Sequence, residues 1–379
     1  MGKNTRNAEY TKEYNRKMFL RLLRTAPMSR ADIARKMGLT RAATSLIADE
    51  LMSEGLVLET VGNTAPRGRT PMPLKLRPDA GYAFGVYLNR NGCTAGLVSM
   101  TGEVLIRERL HFDDQGKHEK LAILADSIEA MQRQMNIPKE KLVGIGVSAP
   151  GPLDGENGRI LNPPRFDLWH YTELGSILQD RLGLPVYLEN NASSLARYNQ
   201  GKPEAEGSEN FLLLLVDSGV GSGVVTHGKI LKGAGYFTSE LGHTTIDYHG
   251  RTCTCGNVGC LETYAAIPNL LQGTPFRSWQ EVIDQYDAEP LAAQLVEQEA
   301  DYLAAGVANL TNVISVDTVL LAGDLLYGVS LLAPILEEKI NCRTMRRGIL
   351  PVRVLPSYSG PDSHVQAAAD VAFGRFLMA

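Results

Sequence analysis

Between Ser239 and Thr263 the chain places a histidine, His243, ahead of three cysteines, Cys253, Cys255 and Cys260. The spacing is H-x9-C-x-C-x4-C. One imidazole and three thiols are the donors that close a tetrahedral structural zinc site with no open position. Gly256 and Gly259 allow the sharp reversal that lets three thiolates converge on one ion. Buried free thiols or a disulfide are the alternative uses of these residues. Cys253 and Cys255 are too close in sequence for easy pairing with each other, and nothing else in the chain points to an oxidising compartment. The other two cysteines, Cys93 and Cys342, stand alone. Structural Zn2+ is the expected cofactor. Two carboxylates bracket the ligands: Glu240 lies three residues before His243, and Glu262 two after Cys260.

The run E-L-G-H followed by C-T-C-G-N-V-G-C-L-E resembles the signature of the ROK family of repressors, open reading frames and kinases. The resemblance covers roughly residues 80–379. It implies zinc on His243, Cys253, Cys255 and Cys260, and it implies that Glu240, His243 and Glu262 face a sugar. It also implies an actin/hexokinase-like α/β body of two lobes with a structural zinc module.

A sugar kinase of this kind needs a glycine turn for phosphate and Mg2+, a second glycine loop, and a carboxylate base. Where the family has Asp-x-Gly-Gly-Thr, this chain has Tyr87-Leu88-Asn89-Arg90-Asn91. A phenol replaces the carboxylate, and both glycines are gone. The second loop, Asp217 to Gly223, keeps alternate glycines but carries Asp217 and Ser222 where the family has glycines. Asp217 would repel phosphate, so the loop reads as a strand turn. The family base motif Glu-Asn-Asp-Ala becomes Glu189-Asn190-Asn191-Ala192. An amide cannot take up a proton near neutral pH, but it can still hydrogen-bond a hydroxyl. Asn190, Asn191, Glu240, His243 and Glu262 are therefore expected to bind a sugar without turnover, and no residue is assigned a catalytic role.

The N-terminal segment has a different character. Residues 1–77 hold 15 Lys+Arg against 7 Asp+Glu, whereas the rest holds 23 against 35. A basic head on an acidic body suggests that the head meets a polyanion. The spacing predicts a helix over 10–24. A second helix is capped by Ser29 and ended by Gly38, and a third is capped by Thr40 and runs to about Glu54. Two short helices joined by a glycine turn form a helix-turn-helix. Leu56–Thr60 and Pro73–Arg77 can pair as a hairpin with a polar tip, which makes the unit a winged helix-turn-helix. Thr40, Arg41, Ala42, Thr44 and Ser45 at the start of the third helix, with Arg67 and Arg69 at the wing tip, are the expected contacts to double-stranded DNA.

From residue 81 the pattern changes to strands followed by alternating helices and strands, and a second pass of the same kind starts at Phe211. Two α/β lobes with a cleft between them are expected. The division is a winged helix-turn-helix over 1–79, lobe 1 over 80–200 completed by the C-terminal helix 364–379, and lobe 2 over 201–363 carrying the zinc module 240–262. The polar N-terminus does not read as a signal peptide, and the longest apolar run, Phe211–Val216, is too short for a membrane span. A cytoplasmic protein is expected.

The leading expectation is a sugar-responsive transcriptional repressor that binds operator DNA as a homodimer, possibly a tetramer, and has no kinase activity. The alternatives are an ATP-dependent sugar kinase with a DNA-binding head and a regulator controlled by a protein partner.

Overall fold

The computed structural model describes residues 8–60, 72–90, 92–112, 116–205, 207–233 and 239–378. Arg67, Arg69 and the rest of the expected wing tip lie outside them, as does Asn91 of the expected turn before Gly92.

The head comprises α1 (Ala8–Thr25), α2 (Arg30–Met37), α3 (Arg41–Ser53), β1 (Val57–Glu59) and β2 (Leu74–Leu76). Ser29 caps α2 by accepting from the Asp32 amide, and Gly38 ends it in the left-handed region (φ 65°), which a side chain would resist. Thr40 caps α3 by accepting from the Ala43 amide. β1 and β2 pair antiparallel, Val57 opposite Leu76. Arg30, the first residue of α2, ties the unit together: it donates to Asp49 on α3 at 2.8 Å and to Glu59 on β1 at 2.9 Å. The predicted helices and the hairpin strands are thus present.

The body repeats one plan twice. Its first sheet has the order β5-β4-β3-β6-β9, built from β3 (Tyr82–Asn89), β4 (Gly92–Ser99), β5 (Val104–Leu110), β6 (Leu142–Ala149) and β9 (Val186–Asn190). Between β5 and β6 runs α4 (Lys117–Gln134). The short pair β7 (Leu153–Asp154) and β8 (Arg159–Ile160), then α5 (Leu174–Leu182), separate β6 from β9, and α6 (Asn191–Asn199) follows. The second sheet has the order β12-β11-β10-β13-β14, built from β10 (Phe211–Val216), β11 (Val220–Thr226), β12 (Lys229–Ile230), β13 (Thr318–Gly323) and β14 (Arg353–Pro356). In each sheet the first three strands are an antiparallel meander and the last two join in parallel. After the meander of the second sheet come α7 (Glu262–Ala265), α8 (Ile267–Leu270), α9 (Trp279–Asp284) and α10 (Pro290–Thr311). Helix α11 (Val329–Arg343) and the last helix, α12 (Ser363–Phe376), complete the chain. Helices α7, α8 and α9 are too short to show periodicity, and the sequence reading missed them. Helix α5 begins no earlier than Leu174, because Thr172 bridges back to Ile160 and Tyr171 has φ 50°.

Each sheet is covered by the helix that follows the last strand of the other sheet. α12 lies on β3 and β6, while α6 lies on β10 and β11. Glycines make this possible. A Cβ on Gly85 would stand 2.0 Å from the Val365 carbonyl oxygen, one on Gly146 would stand 1.9 Å from that of Ala368, and one on Gly223 would stand 2.5 Å from that of Ala192. The head is bound into the same assembly. Phe19, Leu23 and Leu51 share one core with Ala83 and Val98 of the first sheet and with Val365, Ala369 and Phe373 of α12. Arg24 of α1 seals that junction: it donates to Asp370 and to the Met100 carbonyl (2.9 Å), and its guanidinium lies over the Phe373 ring. No helix among the described residues is long and apolar enough to cross a membrane.

Gly146→Ala forces a methyl group into the α12 backbone, which no rotamer change can relieve. Its expected cost is about 3 kcal/mol or more, measured as a drop in Cm on urea unfolding. An unchanged Cm would mean that α12 does not sit on this strand in solution.

Candidate sugar cleft, metal cluster and DNA-facing helix

The carboxyl ends of the lobe 1 strands face the turn between β10 and β11 across a cleft. Tyr87, Asn190, Asn191, Asp217, Gly219, Glu240, His243 and Glu262 line it. All five residues expected to bind sugar are therefore brought to one cavity from three separate stretches of chain.

Their side chains are partly committed. Asn190 is the cap of α6: its Oδ1 accepts from the amides of Ala192 (2.9 Å) and Ser193 (3.3 Å). Asn191 Oδ1 accepts from Ser148 Oγ at 2.7 Å, and Asn191 Nδ2 donates to the Leu88 carbonyl at 3.1 Å. A carboxylate here would set an oxygen against the Leu88 oxygen, so this site is shaped for an amide. One lone pair and one N–H of Asn191 remain for a ligand. Glu262 is buried, with Oε2 accepting from the Val220 amide (3.0 Å) and Oε1 from Arg165 Nη2 (3.1 Å). Burial pushes the Glu240 carboxyl above its ordinary value; His243 opposes that shift, and Glu262 adds to it. A Cβ on Gly151 would meet Asn190 Nδ2 and Glu240 Oε1, both at 3.1 Å, so the bare backbone there admits both groups.

Two arginines at this site were not foreseen as binding groups. Arg90 donates to the carbonyls of Ser218 (2.9 Å) and Pro164 (3.3 Å), while its Nε is buried without a partner. Arg165 bridges Ser218 and Glu262. Arg90 stands at a position where the family pattern has glycine, and that substitution was the signal available in the sequence.

The other end of the cleft is lined by Tyr87 and Asp217. Tyr87 is buried and stacked on His364, with ring centroids 4.1 Å apart. Burial, then Asp217, pushes the phenol above its usual range. Burial also pushes Asp324 up, with Asp217 adding to the effect. Asp217 Oδ1 accepts the Gly219 amide at 3.1 Å. That amide lies in the turn between β10 and β11, and a carboxylate already occupies it.

The metal-ligand residues converge. The donor atoms of His243, Cys253, Cys255 and Cys260 lie within 4.8 Å of one another. His243 Nδ1 is 3.6 Å from Cys253 Sγ, and Cys255 Sγ is 3.7 Å from Cys260 Sγ. A tetrahedron with bonds of about 2.3 Å to sulfur and 2.0–2.1 Å to nitrogen has edges of about 3.8 Å between sulfurs and 3.6 Å between sulfur and nitrogen. The donor set and its spacing therefore fit zinc. All three cysteines are free thiols. Burial and the two neighbouring sulfurs push the Cys260 thiol up to about 12. Gly259 (φ 70°) is indispensable to the turn, since a Cβ there would stand 1.6 Å from the Asp247 carbonyl oxygen. With Nδ1 directed at the cysteines, His243 keeps Nε2 for the cleft it lines.

On the head, Arg41 and Ala42 are exposed on the first turn of α3, Thr40 is exposed beside them, and Ser45 is half-buried. Thr44 corrects the expectation. It is wholly buried, and its hydroxyl donates to the Thr40 carbonyl at 3.0 Å, so it supports the helix and cannot touch a base. Its three-, four- and seven-residue spacing to Ile47, Ala48 and Leu51 places it on the core face. Leu46, 67% exposed, was not foreseen and shares the outer face with Arg41 and Ala42.

Glu262→Ala is expected to strand the Val220 amide and remove the Arg165 tie. The expected loss is about 1–3 kcal/mol in calorimetry, together with any sugar affinity. Full stability and full affinity in the variant would contradict the contacts described above.

The ROK family model matches residues 84–374. The chain is 30% identical over 359 residues to a xylose repressor from Caldicellulosiruptor bescii, covering 89% of this chain and 90% of that one. Among solved structures, a ROK family transcriptional regulator described as a homolog of the E. coli MLC protein superposes with a TM-score of 0.82 at 25% identity, over 97% of both chains. A ROK hexokinase from Thermus thermophilus superposes with a TM-score of 0.66 at 28% identity, covering 78% of this chain and 98% of that one. The kinase thus matches the length of the body, and the regulator matches head and body together. With the family matched along both lobes and the whole architecture shared with a regulator of that family, this chain belongs to the ROK family.

Proposed function

We propose that the protein is a sugar-responsive transcriptional repressor. Its head, residues 1–79, binds operator DNA; its body, lobe 1 over 80–200 with helix 364–379 and lobe 2 over 201–363, senses a sugar or sugar derivative without phosphorylating it. It acts in the cytoplasm. The observation that carries this reading is the condition of the cleft. Asn190, Asn191, Glu240, His243 and Glu262 surround one cavity, which supports a hydroxyl-binding role, and at its other end a buried Tyr87 and an Asp217 that already accepts the Gly219 amide speak against a nucleotide.

Zinc on His243, Cys253, Cys255 and Cys260 would fix the ring that also lines the cleft, so metal and sugar binding are linked. Arg41, Ala42 and Ser45 are placed to enter the major groove, with Thr40 at the backbone; Arg67 and Arg69 are assigned to the wing contact. One such head reads few bases, so operator specificity implies a homodimer on a two-fold site. Helix α12 supplies the route between sites. Its His364 stacks on Tyr87 at the cleft, and its Asp370 and Phe373 hold Arg24 of the head. A sugar that moves one lobe against the other shifts the head through this helix, which makes the claim one of coupling between two distinct sites.

Selection from random duplexes should return a two-fold sequence, and Arg41→Ala should relax preference at one position of each half-site by about 1–3 kcal/mol. No enrichment, with or without a sugar mixture, would refute the regulator. ATP-dependent phosphorylation of any sugar by the wild type would restore the kinase reading. Elemental analysis should find about one zinc per chain, and Cys255→Ser should lose the metal and the sugar response together; a metal-free wild type with full sugar response would remove zinc from the account.

A further inference from the structure

Beside the cleft, and sharing Asn89 and Arg90 with it, is a second chamber walled by Phe112, Lys120, Arg165, Phe166 and Trp169. The two spaces differ in charge. The cleft carries the carboxylates of Asp217, Glu240 and Glu262. The chamber carries Arg90, Lys120 and Arg165, and the one carboxylate among its described lining residues, Asp167, is 85% exposed.

Lys120 is the unexplained group. It is 3% exposed and has no carboxylate or hydrogen-bond acceptor among the described residues. Its one recorded contact is with the Phe112 ring, whose centroid is 5.8 Å from Nζ. Lysine is almost never buried to this degree without a partner, and an unpaired buried cation is costly. The position aggravates the cost. Lys120 is the fourth residue of α4, where the helix dipole disfavours a cation and favours an anion. Arg90, on the boundary between the two spaces, adds a buried Nε with no partner. Lys120, with no acceptor among the described residues, therefore lines a chamber that opens beside the cleft, and Arg90 stands between the two spaces. The aromatic wall keeps the local dielectric low, which strengthens any ion pair formed there.

We propose that the chamber receives an anionic group carried by the sugar in the cleft, a phosphate ester or a carboxylate, with Lys120 as its counter-ion and Arg90 at the junction. The proposal rests on the reading of the cleft as a sugar site. It narrows the effector to an acidic sugar, and it makes Lys120 a residue that separates such a sugar from its neutral parent. A compact ammonium suits this task, because it pairs with either anion without demanding a planar two-point fit.

Calorimetric titration of the full-length protein tests it. The probes are glucose, xylose and N-acetylglucosamine, the phosphate monoester of each on its terminal hydroxyl, glucuronate, and inorganic phosphate. At least one anionic sugar should bind about tenfold or more tightly than its neutral parent, with a preference that shrinks as salt rises. Whether the ester or glucuronate gains identifies the anion. Lys120→Met should erase the preference and leave the neutral sugar's affinity unchanged, while Lys120→Arg retains most of it. Glu240→Gln should weaken neutral and anionic sugars alike, which reports on the cleft independently. Equal affinity for both forms, unaltered in Lys120→Met, would overturn the proposal and leave the cleft reading standing. Inorganic phosphate binding as tightly as the ester would sever the chamber from the sugar. Failure of every sugar to bind would end both readings. Lys120→Met removes an unpaired charge and should not lower Tm; a marked drop would mean that a protein acceptor already holds Lys120, and the proposal would fall.

Discussion

Helix α12 rests directly on strand backbone, and the rest of the molecule depends on that contact. At Gly85 and Gly146 no side chain stands between the sheet and the helix carbonyls of Val365 and Ala368. Close approach brings His364 to the cleft floor against Tyr87, and it presents Phe373 and Asp370 to the head. One helix near the C-terminus therefore touches the first sheet, the cleft residue Tyr87 and the first helix of the chain. A looser packing, with ordinary side chains between helix and sheet, would separate these contacts and leave the head without its shared core.

The metal segment plays the corresponding part on the other lobe. It delivers Glu240 and His243 from one end and Glu262 from the other, and the cysteines between them are folded back by Gly256 and Gly259. Glu262 then bonds the Val220 amide and Arg165, so the segment is fastened to the strand turn and to lobe 1. A buried carboxylate is tolerated here because each oxygen has a donor. Several groups that frame the cavity, Asn190, Asn191 and Glu262, are thus also ties within the fold.

The same use of side chains as internal ties extends to the other end of the cleft. Asp217 accepts the Gly219 amide within its own turn, and Asn191 joins Ser148 to the Leu88 carbonyl. These are structural hydrogen bonds. An amide fits the two bonds that Asn191 makes, and a carboxylate fits the turn that Asp217 closes.

Much of this was legible in the sequence because it depends on local rules. Caps at Ser29 and Thr40, the left-handed turn at Gly38, the strand runs and the H-x9-C-x-C-x4-C spacing are written in neighbouring residues, and each appears where it was expected. The five cleft residues were legible only through resemblance, since three distant stretches supply them. What the tertiary structure alone decided is pairing at long range. Thr44 turned inward because the core of the head takes that face of α3. Arg90, read from the sequence as a lost glycine, became a cation beside the cleft because the Ser218 and Pro164 carbonyls come within its reach. Lys120, on an ordinary amphipathic helix, became a nearly buried residue at a chamber wall because Phe112 lies against it and the segment around Trp169 lines the same space. A sequence records which groups the chain carries; burial and unmet charge are properties of the space between distant segments, and only the folded chain defines that space.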